Sequence, residues 1–296
     1  MHADQLLVTV AQVERLVAEQ FPAWSGLPVQ AVAFAGTVNT LFRLGDALVA
    51  RFPLVPGDAA VVRAQLVREA DAAAELRGRI TAPTPVPVAL GEPGHGYPLP
   101  WSVQTWLSGV DAFVDDPGDS VAFAHDLANL ISELRAIDTA GRAFTGGNRG
   151  GRLTDHDAWV EICLARSGDL FDVSRLRGLW AEWRTLSRTA PDVMSHGDLI
   201  PGNLLVRGGR LAGVLDVGSF GPADPALDLV CAWHLLAAGP RSAFRDELAC
   251  DDVEWERGRA WAFEQAIGAG WYYRQSNRAM SRMAERTVAR LLDADA

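Results

Sequence analysis

The chain has 296 residues, 49% of them hydrophobic, and a formal net charge of −10 at pH 7. That length and apolar share suffice for two sub-domains with buried cores. The acidic balance and the lack of a basic run exclude a broad nucleic-acid footprint, while remaining compatible with attraction of a cationic small molecule.

No apolar run reaches the roughly 18–20 residues of a membrane span; the richest, LVCAWHLLAAG from Leu229, is shorter and carries His234. MHADQLLVTVAQVERL lacks the basic-then-apolar order of a signal peptide. Cys163, Cys231 and Cys250 are odd in number and widely spaced. They point to a reducing cytoplasm and show no metal-ligand spacing. The chain contains no lysine, so every fixed cation a site needs is an arginine.

In chain order, Thr9-Val10-Ala11-Gln12 reads as a capping box opening a helix with Val10, Val13 and Val17 on one face. From Val29 the pattern is of strands: VQAVAF, then AGTVNT, then LFRL and ALVARF around Gly45-Asp46, which reads as a hairpin ended by Pro53 and Pro56. A helix is predicted from Asp58 to Arg79, with a seam of Val62, Leu66, Glu69, Ala73 and Leu76. Glu69 stands in the middle of that apolar stripe, where a carboxylate needs a partner or a neutralised charge.

TAPTPVPVAL and GEPGHGYPLP flank a short strand, and WSVQTWL forms another, closed by Ser108-Gly109. Beyond this the pattern is mostly helical, with helices expected near 120–138, 155–166, 174–188, 223–238, 241–249, 252–270 and 278–292. The change in pattern divides the chain into 1–107 and 108–296. NLLV–RGGR–LAGVLD interrupts the helices as a second hairpin about Gly208-Gly209.

The stretch SHGDLIPGNLLV, residues 195–206, feeds that hairpin. As single residues, Asp198, Asn203 and Asp216 are ordinary turn formers. The hairpin brings its outer ends together, so Asn203 at one end, Asp216 at the other and Asp198 on the entering loop should cluster. Two carboxylates and a carboxamide are hard oxygen ligands suited to Mg²⁺ that also carries phosphate and water. A carboxylate off the metal can accept a proton from an attacking hydroxyl. This is the equipment of phosphoryl transfer.

HGDLIPGN followed by LDVGSFGPADPALDL resembles the aminoglycoside phosphotransferase family, relatives of protein kinases that include macrolide phosphotransferases. HGDLIPGN is similar to the kinase catalytic loop H-R-D-x-x-x-x-N, and Asp216-Val217-Gly218 stands where D-F-G stands. The resemblance, over roughly residues 30 to 240, implies an α+β, two-lobed protein-kinase-like fold with an antiparallel-sheet N-lobe and a mainly helical C-lobe. It implies Asp198 as catalytic base, Asn203 and Asp216 as Mg²⁺ ligands, and ATP or GTP as donor to a small-molecule hydroxyl. Asp224 and Asp228 match the family's D-P-x-x-D-L, with Asp228 bracing the catalytic-loop backbone.

In the first lobe, which the resemblance makes nucleotide-binding, AGTVNT with Gly36 resembles the phosphate-covering loop. Arg51 stands where the family usually has Lys, and Glu69 is its partner. Arg keeps the charge and binds phosphate bidentately, but is bulkier and planar. WSVQTWLSG resembles the inter-lobe hinge, so Gln104, Thr105, Trp106 and Leu107 would face the purine, Trp106 by packing near it.

The acceptor is read less directly. Trp255, Trp261 and Trp271-Tyr272-Tyr273 favour apolar content, which leans towards a macrolide-like or other bulky natural product; an aminoglycoside or a metabolic alcohol is the alternative. Asp155, Asp157, Asp251, Asp252, Glu254, Glu256 and Glu264 read as solvated helix faces, with a minority in contact with acceptor. His196 reads as a structural hydrogen-bonding residue, and His95, His125, His156 and His234 as surface or core histidines. GEPGHG reads as a turn, and no P-loop motif is present. Rival readings are a nucleotide-binding pseudokinase and a metal-dependent hydrolase using His196 and the aspartates. A protein kinase is disfavoured, because no A-P-E-like end follows Asp216.

Overall fold

A computed structural model of the chain describes residues 5–32 and 38–293. The predicted phosphate-covering Gly36 lies outside them. The chain separates into two compact units. One comprises the described part of Met1–Gly78 with Pro83–Ser108 and Gly213–Gly218; the other comprises Arg79–Ala82, Gly109–Ala212 and the described part of Ser219–Ala296.

The first unit opens with α1 (Val10–Gln20). Its capping box forms as the sequence predicts: Thr9 Oγ1 accepts from Gln12 N at 3.3 Å, and Gln12 Oε1 accepts from Thr9 N at 2.9 Å. The strands β1 (Val29–Val32), β2 (Asn39–Leu44) and β3 (Leu48–Pro53) are followed by α2 (Ala59–Leu76), β4 (Pro87–Gly91) and β5 (Trp101–Thr105). Asp58 caps α2 by accepting from Ala60 N and Val61 N. The strands form an antiparallel sheet in the order β1-β2-β3-β5-β4.

Alternate residues of β2 and β3 face the α1 side, so Phe42, Leu44, Ala50 and Phe52 join Val13, Leu16, Val17 and Trp101 in one core. Phe52 stacks on Trp101 at 4.8 Å and meets Phe42 edge-on at 5.7 Å. A Cβ on Gly91 would lie 2.1 Å from the Trp101 ring, so only glycine admits that indole here.

The second unit contains β6 (Val110–Asp111), α3 (Val121–Arg135), α4 (Asp157–Ala165) and α5 (Val173–Trp183). It continues with β7 (Val193–Ser195), β8 (Leu204–Arg207) and β9 (Arg210–Val214), whose last two residues count with the first unit. Then come β10 (Gly221–Ala223), α6 (Val230–His234), α7 (Ala238–Leu248), α8 (Asp252–Tyr272) and α9 (Arg278–Asp293). Gly208 and Gly209, at φ +59° and +70°, supply the two positive-φ positions a tight β8–β9 turn needs. Residues of α8 are buried around most of its circumference, which makes it the central helix of this unit.

The helix expected at 223–238 is not one element. β10 pairs with β7 through Ala223, a single 3₁₀ turn covers Leu227–Leu229, and only Val230–His234 is α-helical. Pro225 lacks an N–H, and Asp224 Oδ1 takes the Ala226 N–H at 3.1 Å, so the local bonding favours a turn over a helix start. The helix expected at 174–188 likewise stops at Trp183. Among the described residues, no helix is long and apolar enough to cross a membrane.

Candidate active site

In the first unit, Arg51 on β3 faces Leu41 on β2 and Ser102 on β5 in register. Its Nη1 donates to Glu69 Oε2 at 2.8 Å, and both side chains are only 13% exposed. The carboxylate on the α2 stripe therefore has its partner, as the sequence requires. Gly218 approaches the same pair: a Cβ there would lie 2.9 Å from Glu69 Cγ. Asp216, two residues earlier, has φ +56°, a left-handed conformation that Asp tolerates better than most residues.

The predicted hinge is partly committed to the sheet. Thr105 N donates to Val86 O at 2.9 Å and Trp106 N to Ala47 O at 2.7 Å. The Trp106 ring carries the Arg43 guanidinium 5.1 Å from its centroid. The N–H groups of Thr105 and Trp106 thus complete the strand ladder, which leaves their carbonyls and the backbone of Leu107 as the groups a purine could meet. Gln104 lines a cavity of about 170 Å³ with Leu66, Glu69, Ala70 and Ser102. Leu107 is half-buried just beyond β5.

In the second unit, Asp198 follows β7 on a loop whose backbone is held by one buried carboxylate. Asp228, 3% exposed, accepts His196 N at 2.8 Å and Gly197 N at 3.0 Å through its two oxygens. Asp228 is thus the brace the sequence resemblance implies. His196 is buried, and its Nδ1 accepts the Asp198 N–H at 3.3 Å.

Asn203 points its amide nitrogen at Asp198, donating to the backbone O at 2.9 Å and to Oδ2 at 3.1 Å. That turns its Oδ1 away from Asp198. Asp198 Oδ1 accepts from Gln265 Nε2 at 2.9 Å and from Arg149 Nη2 at 3.2 Å. Gln265 Oε1 lies 2.9 Å from His234 Nε2. Burial pushes the His234 imidazole down to about 4, so it is neutral at pH 7. A neutral ring with its proton on Nε2 donates to Gln265 and thereby fixes which end of that amide faces Asp198.

Asp224 supports the fold from beneath. It is 2% exposed, pairs with the 3%-exposed Arg257, and accepts from Trp261 Nε1 at 2.9 Å. This corrects two expectations. Trp255 and Trp261 are buried and cannot line an acceptor surface, because they sit on the inward faces of the central α8. Glu264 is no solvated helix residue: it is 3% exposed, with Oε1 2.9 Å from His156 Nδ1 and Oε2 3.8 Å from Arg149 Nη1. Tyr272, 47% exposed, is the member of the aromatic run that stays at the surface.

Sequence reasoning missed Arg149 and Gln265. Arg149 stands in NRGG, which reads only as loop, and Gln265 lies mid-helix beside Glu264; neither belongs to a spaced motif.

The pattern defining the phosphotransferase enzyme family matches residues 31–261. The chain belongs to that family. Among curated phosphotransferases, it is similar to two aminoglycoside 3'-phosphotransferases from Escherichia coli, with 31% identity over 146 residues and 41% over 148, each covering 46% of this chain and 52% of the relative. The chain thus spans about half the length of the curated relatives it matches. Over nearly the whole chain, the fold is that of solved kinase-like phosphotransferases. The GDP complex of aminoglycoside 2'-phosphotransferase-IIIa superposes with a TM-score of 0.73 at 18% identity, covering 97% of this chain and 100% of that one. Macrolide 2'-phosphotransferase MphH from Brachybacterium faecium gives 0.62 at 20% identity, covering 94% and 97%.

Proposed function

We propose that this phosphotransferase moves the γ-phosphoryl group of ATP or GTP to a hydroxyl of a small molecule. The observation that carries this reading is the pairing of Arg51 with Glu69 in a chain that also holds Asp198 on an Asp228-braced loop beside Asn203. Each feature has a separate purpose in kinase-type chemistry, and a metal-dependent hydrolase needs neither Arg51 nor Glu69. His196 also suits a structural role better than a metal-binding one, since its Nδ1 accepts the Asp198 N–H.

Asn203 and Asp216 are the residues that would hold Mg²⁺. Asn203 suits it by its own contacts, presenting Oδ1 because its amide nitrogen is spent on Asp198, and the Asp216 carboxylate is of the hard oxygen type Mg²⁺ prefers. Bound Mg²⁺ supplies charge neutralisation to the phosphates. Arg51, fixed by Glu69, anchors phosphate oxygens. Leu107, whose neighbours' N–H groups are used by the sheet, offers its own to the purine, and Gln104 borders that position. Asp198 orients the acceptor hydroxyl and takes its proton.

The acceptor in this reading is a bulky natural product of the macrolide or aminoglycoside kind, with a metabolic alcohol as the alternative. Membership of the family supports the first. The three cysteines are unpaired thiols, which suits work in the cytoplasm.

Calorimetric titration of ATP and GTP, with and without Mg²⁺, tests the donor half. Binding should require Mg²⁺ and weaken at least about tenfold in Asp216→Ala, the loss of one charged metal ligand. Binding that is indifferent to Mg²⁺ and to Asp216, or no binding by folded wild type, would contradict the reading.

A further inference from the structure

Phosphoryl transfer spreads negative charge over the equatorial oxygens of the moving group, and an enzyme gains most from a cation already in place there. The loop HGDLIPGN contains no arginine, and the chain contains no lysine. A cation that assists Mg²⁺ and Arg51 beside Asp198 would be an arginine from elsewhere in the sequence.

Arg149 lies beside the proposed base. Its Nη2 lies 3.2 Å from Asp198 Oδ1, on the carboxylate proposed to accept the hydroxyl proton, while its Nη1 is 3.8 Å from Glu264 Oε2. The second contact is too long for a hydrogen bond, and Glu264 Oε2 is buried without one. The guanidinium is thus held to Asp198 by a single hydrogen bond and drawn towards Glu264 without one, and its side chain stays 30% exposed, within reach of a ligand.

The residues that follow it are closely packed. Gly150 O accepts from Asp224 N at 2.8 Å. Gly150 has φ +115°, and a Cβ there would lie 2.9 Å from Ala223 Cβ; one on Gly151 would lie 2.7 Å from the Phe144 ring. Gly150 thus seats the chain after Arg149 against the ADPALDL segment, and Gly151 seats it against Phe144. This is the preorganisation an electrostatic catalyst needs.

We propose that Arg149 is a catalytic residue that neutralises the transferred phosphoryl group, an inference that rests on the phosphotransferase reading above. A lone pair of the acceptor oxygen forms the new O–P bond. The bond from the γ-phosphorus to the β,γ-bridging oxygen breaks, and that oxygen leaves on the nucleoside diphosphate. The hydroxyl proton passes to Asp198. As Asp198 becomes neutral its hold on Arg149 falls, just as negative charge collects on the phosphoryl oxygens. Both changes move the guanidinium's attraction from the base to the phosphoryl group.

The test uses binding of a stand-in for the moving group. ADP and GDP are titrated with Mg²⁺, alone and with fluoroaluminate, into wild type, Arg149→Ala, Arg149→Lys and Asp198→Ala. Fluoroaluminate should tighten diphosphate binding in the wild type. Arg149→Ala should lose about 100-fold of that tightening while diphosphate alone stays within about twofold. Arg149→Lys, or added guanidinium ion with Arg149→Ala, should recover part of it. Arg149→Ala binding fluoroaluminate as the wild type does would overturn the inference and leave the phosphotransferase reading standing. So would a loss shared equally by diphosphate alone, or a wild type in which fluoroaluminate adds nothing. A folded wild type that binds neither diphosphate removes both readings.

Discussion

Asp198→Ala is expected to lower kcat by about 10²–10⁴-fold, the usual contribution of a positioned general base. The melting temperature should hardly move, because Asp198 is 26% exposed and the donors it leaves can turn to water. The size of the loss follows from how the carboxylate is held. Asn203 donates to one oxygen, and Gln265 and Arg149 donate to the other. The backbone carrying it is pinned through His196 N and Gly197 N to Asp228. A base in so defined a position contributes through geometry, so Asp198→Asn, which keeps the shape and loses the proton affinity, should be nearly as inactive. Steady-state phosphorylation rates of the two variants, with circular dichroism to show intact folding, check this. A rate unchanged from wild type would remove Asp198 from the mechanism.

Asp224→Ala is expected to have the largest effect on stability, about 3–5 kcal/mol, the cost of leaving a buried charge without its partner. Arg257 is 3% exposed, and the substitution also strips the Trp261 indole N–H of its acceptor. Against a typical total of about 5–15 kcal/mol, the loss leaves a marginal protein. Urea unfolding monitored by tryptophan fluorescence measures it. Replacing both partners by apolar residues, as in the double variant Asp224→Leu with Arg257→Met, should recover much of the loss, because no unpaired charge remains buried. A loss below about 1 kcal/mol in Asp224→Ala would mean that Arg257 finds water or another acceptor, contrary to its burial.

The parts legible in the sequence are those whose physics is local or whose oddity demanded a partner. Glu69 on an apolar stripe called for a cation, and Arg51 meets it. Gly208-Gly209 between two apolar runs specified the β8–β9 turn. The Thr9–Gln12 box formed where the residues placed it. The misreadings have a common source in long-range contacts. Arg149 and Gln265 reach Asp198 across 49 and 67 residues, and no periodicity reports such a meeting. Tryptophan on a helix does not declare its environment when that helix is buried around most of its circumference, so Trp255 and Trp261 suggested a ligand surface and proved to be core. The helical appearance of ADPALDLV came from apolar spacing, while Pro225 and the Asp224 side chain set the backbone bonding that made a turn. Backbone hydrogen bonds of the sheet, invisible in side-chain identities, took the N–H groups of Thr105 and Trp106.

The central claim is transfer of a phosphoryl group to a small-molecule hydroxyl. The most direct measurement incubates wild type with γ-labelled ATP and GTP, Mg²⁺ and a panel of aminoglycosides, macrolides and small alcohols, and follows the label into the acceptor by mass spectrometry. An acceptor should gain one phosphoryl group with stoichiometric release of nucleoside diphosphate. Tight Mg²⁺-dependent nucleotide binding with no label in any acceptor would contradict it and make this chain a nucleotide-binding pseudokinase.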